Sequence, residues 1–541
     1  MKTTLTISVL IITAAAAGLF LRLPLLHHRP MHTDEAVHAI KFEKLLEDNS
    51  YVYDKFEYHG PTLNYFTLIP ACLLSQETIK QVDEFTLRVV PVFFGFCVIV
   101  LPLMMIKGLD RFTGIVAVFL AAVSPAMVFY SRYYIQEMLL VCFTLCLIVC
   151  GYRFTQSRKK VWIAMAGISA GLMGATKETF IIAIAAIMLS ATVTFFSVNK
   201  KGFRFKELCS YFRVVDILLF LFSAAVVWVV FFSSFFTNAQ GIIDSFATFA
   251  TYFNRAHANT DHLHPWYYYL KLLLYSKLST GPLWTEMFVV LMGLAGFIFA
   301  FRKRQFVNES KSLLRFIALY TLIMTVAYSI IPYKTPWCLL GFFSGMIILA
   351  GYGISSILSV NSSVPLKTIL ILVFIAAGVH LGFMSYLGNT KYASSPANPY
   401  VYAHTTSDIY AVSEKIKQAC KASQAGEDTV IQVICPGNDY WPLPWYLRSL
   451  NNVGYWNFVD EKMPASPIIV TAAGVYDGQN DAIEKELINH LFAVQPRGQI
   501  DLYVPLFDDY MEIRPLVEMR GYVTKELSDE VRGQLDAIKS D

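Results

Sequence analysis

HHRPMHTDEAVHAIKFEKLLEDNSYVYDKFEYHGPTLNY, residues 27–65, follows directly on an apolar run from about 5 to 26 and has no counterpart near it. It holds five histidines (His27, His28, His32, His38, His59) and a dense set of acids (Asp34, Glu35, Glu43, Glu47, Asp48, Asp54, Glu57). Downstream, as far as about residue 387, the chain is apolar runs with short polar breaks. Ionisable groups are costly inside a bilayer, so a polar loop of this density between apolar runs belongs at the membrane surface. The reading is chemistry in the loop, with helices to hold it there.

The composition agrees. Of 541 residues 55% are hydrophobic and 16% charged, against about 25% charged in soluble domains. Mean hydropathy is +0.48. The deficit of charge stops near residue 390, beyond which the chain reads as an ordinary soluble domain. The fold class is therefore a polytopic α-helical membrane protein, residues 1–387, with a C-terminal α/β domain, residues 388–541. A net charge of +4 without a basic stripe excludes a nucleic-acid partner. Nine cysteines form neither a disulfide framework nor a metal spacing. Cys142, Cys146 and Cys150 share one helix face and read as packing, and Cys420 and Cys435 are the pair whose pairing stays open.

A span needs about 20 apolar residues. Eleven runs qualify, near 5–26, 86–106, 111–131, 135–154, 161–176, 179–198, 214–236, 284–301, 313–331, 336–358 and 366–387. The fifth and sixth are one apolar stretch broken by Lys177-Glu178, and a hairpin that brings these charges to the surface avoids burying them. The first run continues to Leu26, longer than the apolar core of a signal peptide. Basic residues fill alternate breaks: Lys107 and Arg111; Arg153, Arg158, Lys159 and Lys160; Lys200, Lys201, Arg204, Lys206 and Arg213; Arg302, Lys303, Arg304, Lys311 and Arg315. The positive-inside rule makes these cytoplasmic. The chain is then a multi-pass protein of the cell (inner, cytoplasmic) membrane. Its N-terminus lies inside, and the loops 27–85 and 237–283 and the C-terminal domain lie outside.

Other chemistry gathers on that outer face. The second loop holds His257, His262, His264, Asp261, Trp266 and the run Tyr267-Tyr268-Tyr269. The short outer breaks SRYYIQE (131–137), TKET (176–179) and YKTPW (333–337) each place a cation at a helix end: Arg132, Lys177 and Lys334. Singly each reads as snorkelling to headgroups. Three on one face point to an anionic ligand. Histidines and carboxylates also suit a divalent metal such as zinc, manganese or magnesium. His32, Asp34 and His38 are the nearest set in sequence, with His59, His262 or His264 to complete a shell. Polar packing or aromatic stacking is the alternative for each histidine. In the tail, helices are expected over 406–422, 441–450 and 482–491 and strands over 429–435 and 466–471. The aromatics Tyr440, Trp441, Trp445, Tyr446, Tyr455 and Trp456 either pack a core or face a sugar or the bilayer interface.

With the loops placed, the pattern resembles the GT-C superfamily of integral-membrane glycosyltransferases. The branch is that of the protein O-mannosyltransferases, the lipid A aminoarabinose transferase and RgtA/B/C/D-like enzymes, with a prokaryotic subset linked by name to flippase-associated glycosylation. The acidic pair opening the first outer loop is Asp34-Glu35, in HTDEA. Glu84, Arg88, Pro91 and Gly95 match the start of the next helix. Arg111, Gly114, Ser124-Pro125 and Tyr130-Ser131-Arg132 match the third. Glu137 stands where the family usually has Asp, and Gly167, Gly171 and Gly174 lead to Lys177, here followed by Glu178.

The resemblance covers about the first 200 residues well. It implies a sugar moved from a polyprenyl-phosphate carrier to a glycan, lipid or protein acceptor. Asp34 is then the base, Glu35 or Glu137 the second carboxylate, and Arg88, Arg132, Lys177 and Lys334 the donors to the leaving phosphate. Tyr58, His59, Tyr133, His262, His264 and Trp266 are the substrate-facing candidates. Two other functions compete: a lipid-linked sugar transporter or flippase, and a non-catalytic envelope assembly factor. Transporters place ionisable residues inside helices, whereas here they sit at loop ends.

Overall fold

The computed structural model describes the chain except residues 1, 57–58, 199–212, 259–261, 279, 303–309, 362, 461, 464, 475–478, 495–501 and 541. Two compact units emerge. One comprises Met1–Leu26, Lys44–Ser75 and Asp83–Tyr402, the other His27–Glu43, Gln76–Val82 and Ala403–Asp541. The loop 27–85, expected to belong whole to the membrane domain, divides between the two units.

In chain order the main helices up to residue 402 are α1 Lys2–Arg22, α2 Thr33–Glu47, α3 Thr62–Leu73, α4 Glu84–Val100, α5 Arg111–Val123, α6 Pro125–Tyr130, α7 Glu137–Ser157 and α8 Lys160–Gly174. Then come α9 Phe180–Val198, α10 Val214–Phe232, α11 Gln240–Ala258, α12 Tyr268–Leu274, α13 Met287–Phe301, α14 Lys311–Ile330, α15 Leu340–Val360 and α16 Val364–Asn389. Among the described residues seven helices are long and apolar enough to cross a membrane. Shorter apolar ones are Ile7–Arg22, Thr62–Leu73, Arg111–Val123, Lys160–Gly174 and Met287–Phe301. Apart from α3, each falls in one of the eleven expected runs. The chain is a multi-pass membrane protein.

The third run does not form one straight helix. Pro125 has no N–H, so the Ala121 carbonyl loses its helical donor. The Ala126 N–H turns instead to Glu286 (2.7 Å), which leaves the Ala122 carbonyl open too. Arg22, buried in α1, donates to both, at 2.9 and 2.8 Å, and the Ser385 hydroxyl takes the next carbonyl, Val123, at 2.6 Å. Buried backbone acceptors must be satisfied, and in the membrane only side chains from other helices can do it. Ser124 caps α6 and also donates to Glu286 at 2.8 Å. The Ser-Pro motif thus ties α1, α5 and α6 to the start of α13.

The second unit carries a sheet of β1 Ile431–Ile434, β2 Val453–Trp456, β3 Ile468–Gly474, β4 Tyr503–Pro505, β5 Met511–Arg514 and β6 Val517–Thr524. Its order is β2-β1-β3-β6-β4, with β5 also on β6. β1 runs parallel to β2 and β3, and the pairs with β6 are antiparallel. Helices α17 Asp408–Ala422, α18 Leu443–Tyr446, α19 Gln479–Val494 and α20 Lys525–Ser540 complete the unit. Ile434, Ile469, Val459, Met463 and Leu487 form a core cluster against which Trp456 packs. Trp445 and Tyr446 are buried, so these members of the aromatic group pack rather than present a face to ligand. Cys420 and Cys435 are free thiols.

Candidate active site

Lys177 is set by a clamp between two loops of the membrane unit. The Gly60 N–H donates to the Thr176 carbonyl (3.1 Å) and the Thr62 N–H to the Ala175 carbonyl (3.2 Å). The Thr62 and Thr176 hydroxyls share a bond of 2.8 Å. Gly60 is required, because a Cβ there would run into the Ala175 carbonyl. His59 Nδ1 then reaches Glu178 Oε2 at 2.8 Å, and the Tyr53 hydroxyl reaches the other oxygen at 3.3 Å. Burial alone would raise the Glu178 carboxyl, but the charge and hydrogen bond of His59, helped by Lys177, hold it below the usual range. Glu178 therefore faces His59, while the Lys177 ammonium donates to Glu137 at the first turn of α7.

Glu137 and Lys177 line a narrow slot of about 30 Å³ among α7, α9, α14 and α15. Its remaining wall is mostly apolar and aromatic, including Leu140, Met324, Tyr328 and Trp337. One ion pair beside an otherwise greasy wall has the chemistry to meet the anionic head of an amphiphile. A second, more open groove of about 450 Å³ is lined by Tyr65, Phe66, Ile69, Phe231 and Phe235.

The other predicted residues divide. Arg132 donates to the carbonyls of Arg22, Pro24 and Leu25 (2.9, 2.7 and 2.9 Å), and Arg88 to that of Leu26 (2.5 Å). These carbonyls at and beyond the end of α1 lack helical partners and carry the negative end of its dipole. Both arginines thus brace the end of α1. Lys334 is likewise drawn to carbonyls, those of His264 (3.1 Å) and Ile331, and burial lowers its pKa. Tyr133 is buried against Phe129 and Tyr130. Tyr58 lies outside the described residues.

His262 and His264 converge on the Tyr402 hydroxyl, His262 Nδ1 at 2.6 Å and His264 Nε2 at 3.2 Å, and His264 stacks on Tyr268. Burial, His262 and Lys334 push the His264 pKa down. Trp266 is 64% exposed.

In the second unit the acidic pair splits. Glu35 is fully buried and takes both its oxygens to Arg29 at 2.9 Å, with the His32 N–H at 2.9 Å on one of them. Such a carboxylate is a structural anchor, which corrects its assignment as catalytic. The Asp34 side chain is 46% exposed. His32 accepts the Asp34 N–H through Nδ1 (3.1 Å) and stacks on His404, and His38 is buried. His32, Asp34 and His38 form no metal shell, and among the described residues no three such side chains are grouped to hold an ion. Sequence reasoning missed Arg22, Tyr53, Glu178 as a partner of His59, and Glu286; only Glu178 carried a signal, as a charge beside Lys177.

A family model described as dolichyl-phosphate-mannose-protein mannosyltransferase matches residues 59–228. A search of curated proteins finds no match by sequence. Among solved structures, ArnT from Cupriavidus metallidurans in the apo state is similar at a TM-score of 0.60 and 13% identity, over 96% of this chain and 98% of that one. Its complex with undecaprenyl phosphate gives 0.58 and 13%, over 94% and 97%. The Archaeoglobus fulgidus oligosaccharyltransferase in the apo form gives 0.56 and 11%, over 82% of this chain, which spans 63% of that enzyme's length. With its apolar helices and its C-terminal sheet domain, the chain shares the fold of these GT-C integral-membrane glycosyltransferases.

Proposed function

We propose that the chain transfers a sugar from a polyprenyl-phosphate carrier to an envelope acceptor at the outer face of the cytoplasmic membrane. The observation that carries this is the apolar cavity whose charged lining is the Lys177–Glu137 pair. Undecaprenyl phosphate, the ligand of the similar ArnT structure, has the matching chemistry of one anionic head on a long apolar chain. In the reaction the bond from the anomeric carbon to the carrier phosphate oxygen breaks as the acceptor's oxygen or nitrogen bonds that carbon. A single displacement inverts the centre. The departing phosphate gains negative charge, and Lys177, held by Glu137 in an environment poor in water, stabilises it. The acceptor's proton goes to Asp34. The apolar groove beside Phe231 and Phe235 suits the prenyl chain.

The test compares envelope glycans by mass spectrometry in cells with and without the chain. A glycan that disappears with the gene and returns with wild type supports transfer; unchanged glycans reject it. Lys177→Ala should lower product about tenfold to a hundredfold, from the loss of a charged hydrogen bond of about 1.5–3 kcal/mol, at unchanged membrane abundance.

A further inference from the structure

The turn that carries Asp34 belongs to the unit that contains the C-terminal sheet, not to the unit of the membrane helices. The Met31 N–H donates to the Tyr446 hydroxyl at 2.8 Å, and the Thr405 hydroxyl donates to the Met31 carbonyl at 2.6 Å. Met31 and Thr405 are fully buried and Tyr446 nearly so. One residue on, the rings of His32 and His404 stack with centroids 5.8 Å apart and planes 13° apart. From there the fixing continues locally. Glu35 receives the His32 N–H, and His32 Nδ1 receives the Asp34 N–H. Both peptide groups of Met31 are thus held by side chains more than 370 residues away in sequence, and the backbone of 32–35 is pinned from that point. The Asp34 carboxylate is left facing solvent on a fixed backbone.

We infer that the C-terminal domain is the mount of the acidic loop, with Thr405 and Tyr446 as positioning residues for Asp34. The inference rests on the transfer reading above for its catalytic meaning. It gives the domain a task within the reaction other than binding a glycan or a partner protein. A group that must meet a proton in the transition state has to be held within a fraction of an ångström, and a loop between membrane helices does not supply that by itself. Hydroxyls that fix the two peptide groups of Met31 do.

The test uses the full chain with Thr405→Val, Tyr446→Phe, the double variant and Thr405→Ser. Three quantities are measured: amide exchange over 31–36, binding of undecaprenyl phosphate to purified protein, and envelope glycan in cells. In the double variant, amides 31–36 should exchange about tenfold faster and glycan should fall about tenfold, each hydrogen bond being worth roughly 0.5–1.5 kcal/mol. Affinity for undecaprenyl phosphate should stay within twofold. Thr405→Ser, which keeps the hydroxyl, should restore both exchange and product.

Faster exchange with full product overturns the positioning role. So does unchanged exchange, or a loss of lipid-phosphate binding that parallels the loss of product. If the double variant fails to insert, Tyr446→Phe alone, which removes one hydroxyl and little packing, is read by the same criteria. If wild type alters no envelope glycan, the transfer reading falls. The exchange data then decide the mount by themselves, faster exchange supporting it and unchanged exchange overturning it.

Discussion

The Glu35 carboxylate accepts two bonds from Arg29 and one from the His32 amide and is wholly buried. Its neighbour Asp34 keeps 46% of its side chain exposed. The same functional group is a strut at one position and the proposed base at the next, and two substitutions separate the roles. Glu35→Gln leaves Arg29 buried without its charge partner and should destabilise the unit by about 3–5 kcal/mol, seen as a lower unfolding temperature. Asp34→Asn keeps the size and should leave unfolding unchanged while lowering turnover about 100-fold. Asp34→Asn protein that transfers sugar within a few-fold of wild type would remove Asp34 as the base. At this scale the sequence identifies which residues are charged but not what they meet. Arg132 stands at a helix end like Lys177 and reads the same way. Its partners are the carbonyls at the end of α1, 107 to 110 residues earlier, and no local pattern encodes that meeting.

Elements set these residues, and their legibility follows how local the signal is. The membrane helices are readable because hydropathy is summed over a contiguous run. Helix α3 escaped because its 12 residues, with Pro70 inside, are too short for a span. Strands β2 and β4 escaped because four and three residues give alternation too little length to register. The clamp between 59–62 and 175–178 makes an element-scale prediction. Gly60→Ala must part the loops or strain them, at about 1–3 kcal/mol. Lys177 should then lose its fixed position, so product falls while the protein still inserts; full activity in Gly60→Ala would separate the clamp from the site. The bridge between Leu263 and Tyr333 makes another. The lowered His264 pKa means the folded state binds its proton less well than the unfolded chain. The stability of this bridge is therefore full above the ordinary histidine value, about 6.5, and is lost as pH falls through the lower folded value. The His264 amide, bonded to the Pro332 carbonyl, should lose protection between pH 7.5 and 5 after correction for intrinsic rates. His264→Gln should abolish that dependence.

The chain passes between the two units after Leu26, Glu43, Ser75, Val82 and Tyr402, a discontinuity that a sequence read segment by segment does not reveal. It constrains topology independently of charge. A compact unit with a polar sheet domain cannot straddle a bilayer, since its exposed backbone would go unsatisfied in hydrocarbon. Residues 27–43 and 403–541 must therefore lie on one side. Between Val82 and Tyr402 the described residues contain the seven long apolar helices and three of the shorter ones, Arg111–Val123, Lys160–Gly174 and Met287–Phe301. If all ten cross, that even number returns the chain to the side it left. The positive-inside rule supplies the expected side: the break with Arg153, Arg158, Lys159 and Lys160, between two of these helices, is expected in the cytoplasm. Reporter fusions near residues 60, 260 and 450 should therefore report outside, and those near 155, 205 and 308 inside. The charge rule and the contact pattern are separate arguments, and the fusions can part them. If all six reporters invert together, the charge reading fails and the helix count stands. If 60 and 450 fall on opposite sides, one apolar helix does not cross, and the short helices α8 and α13 are the first to re-examine.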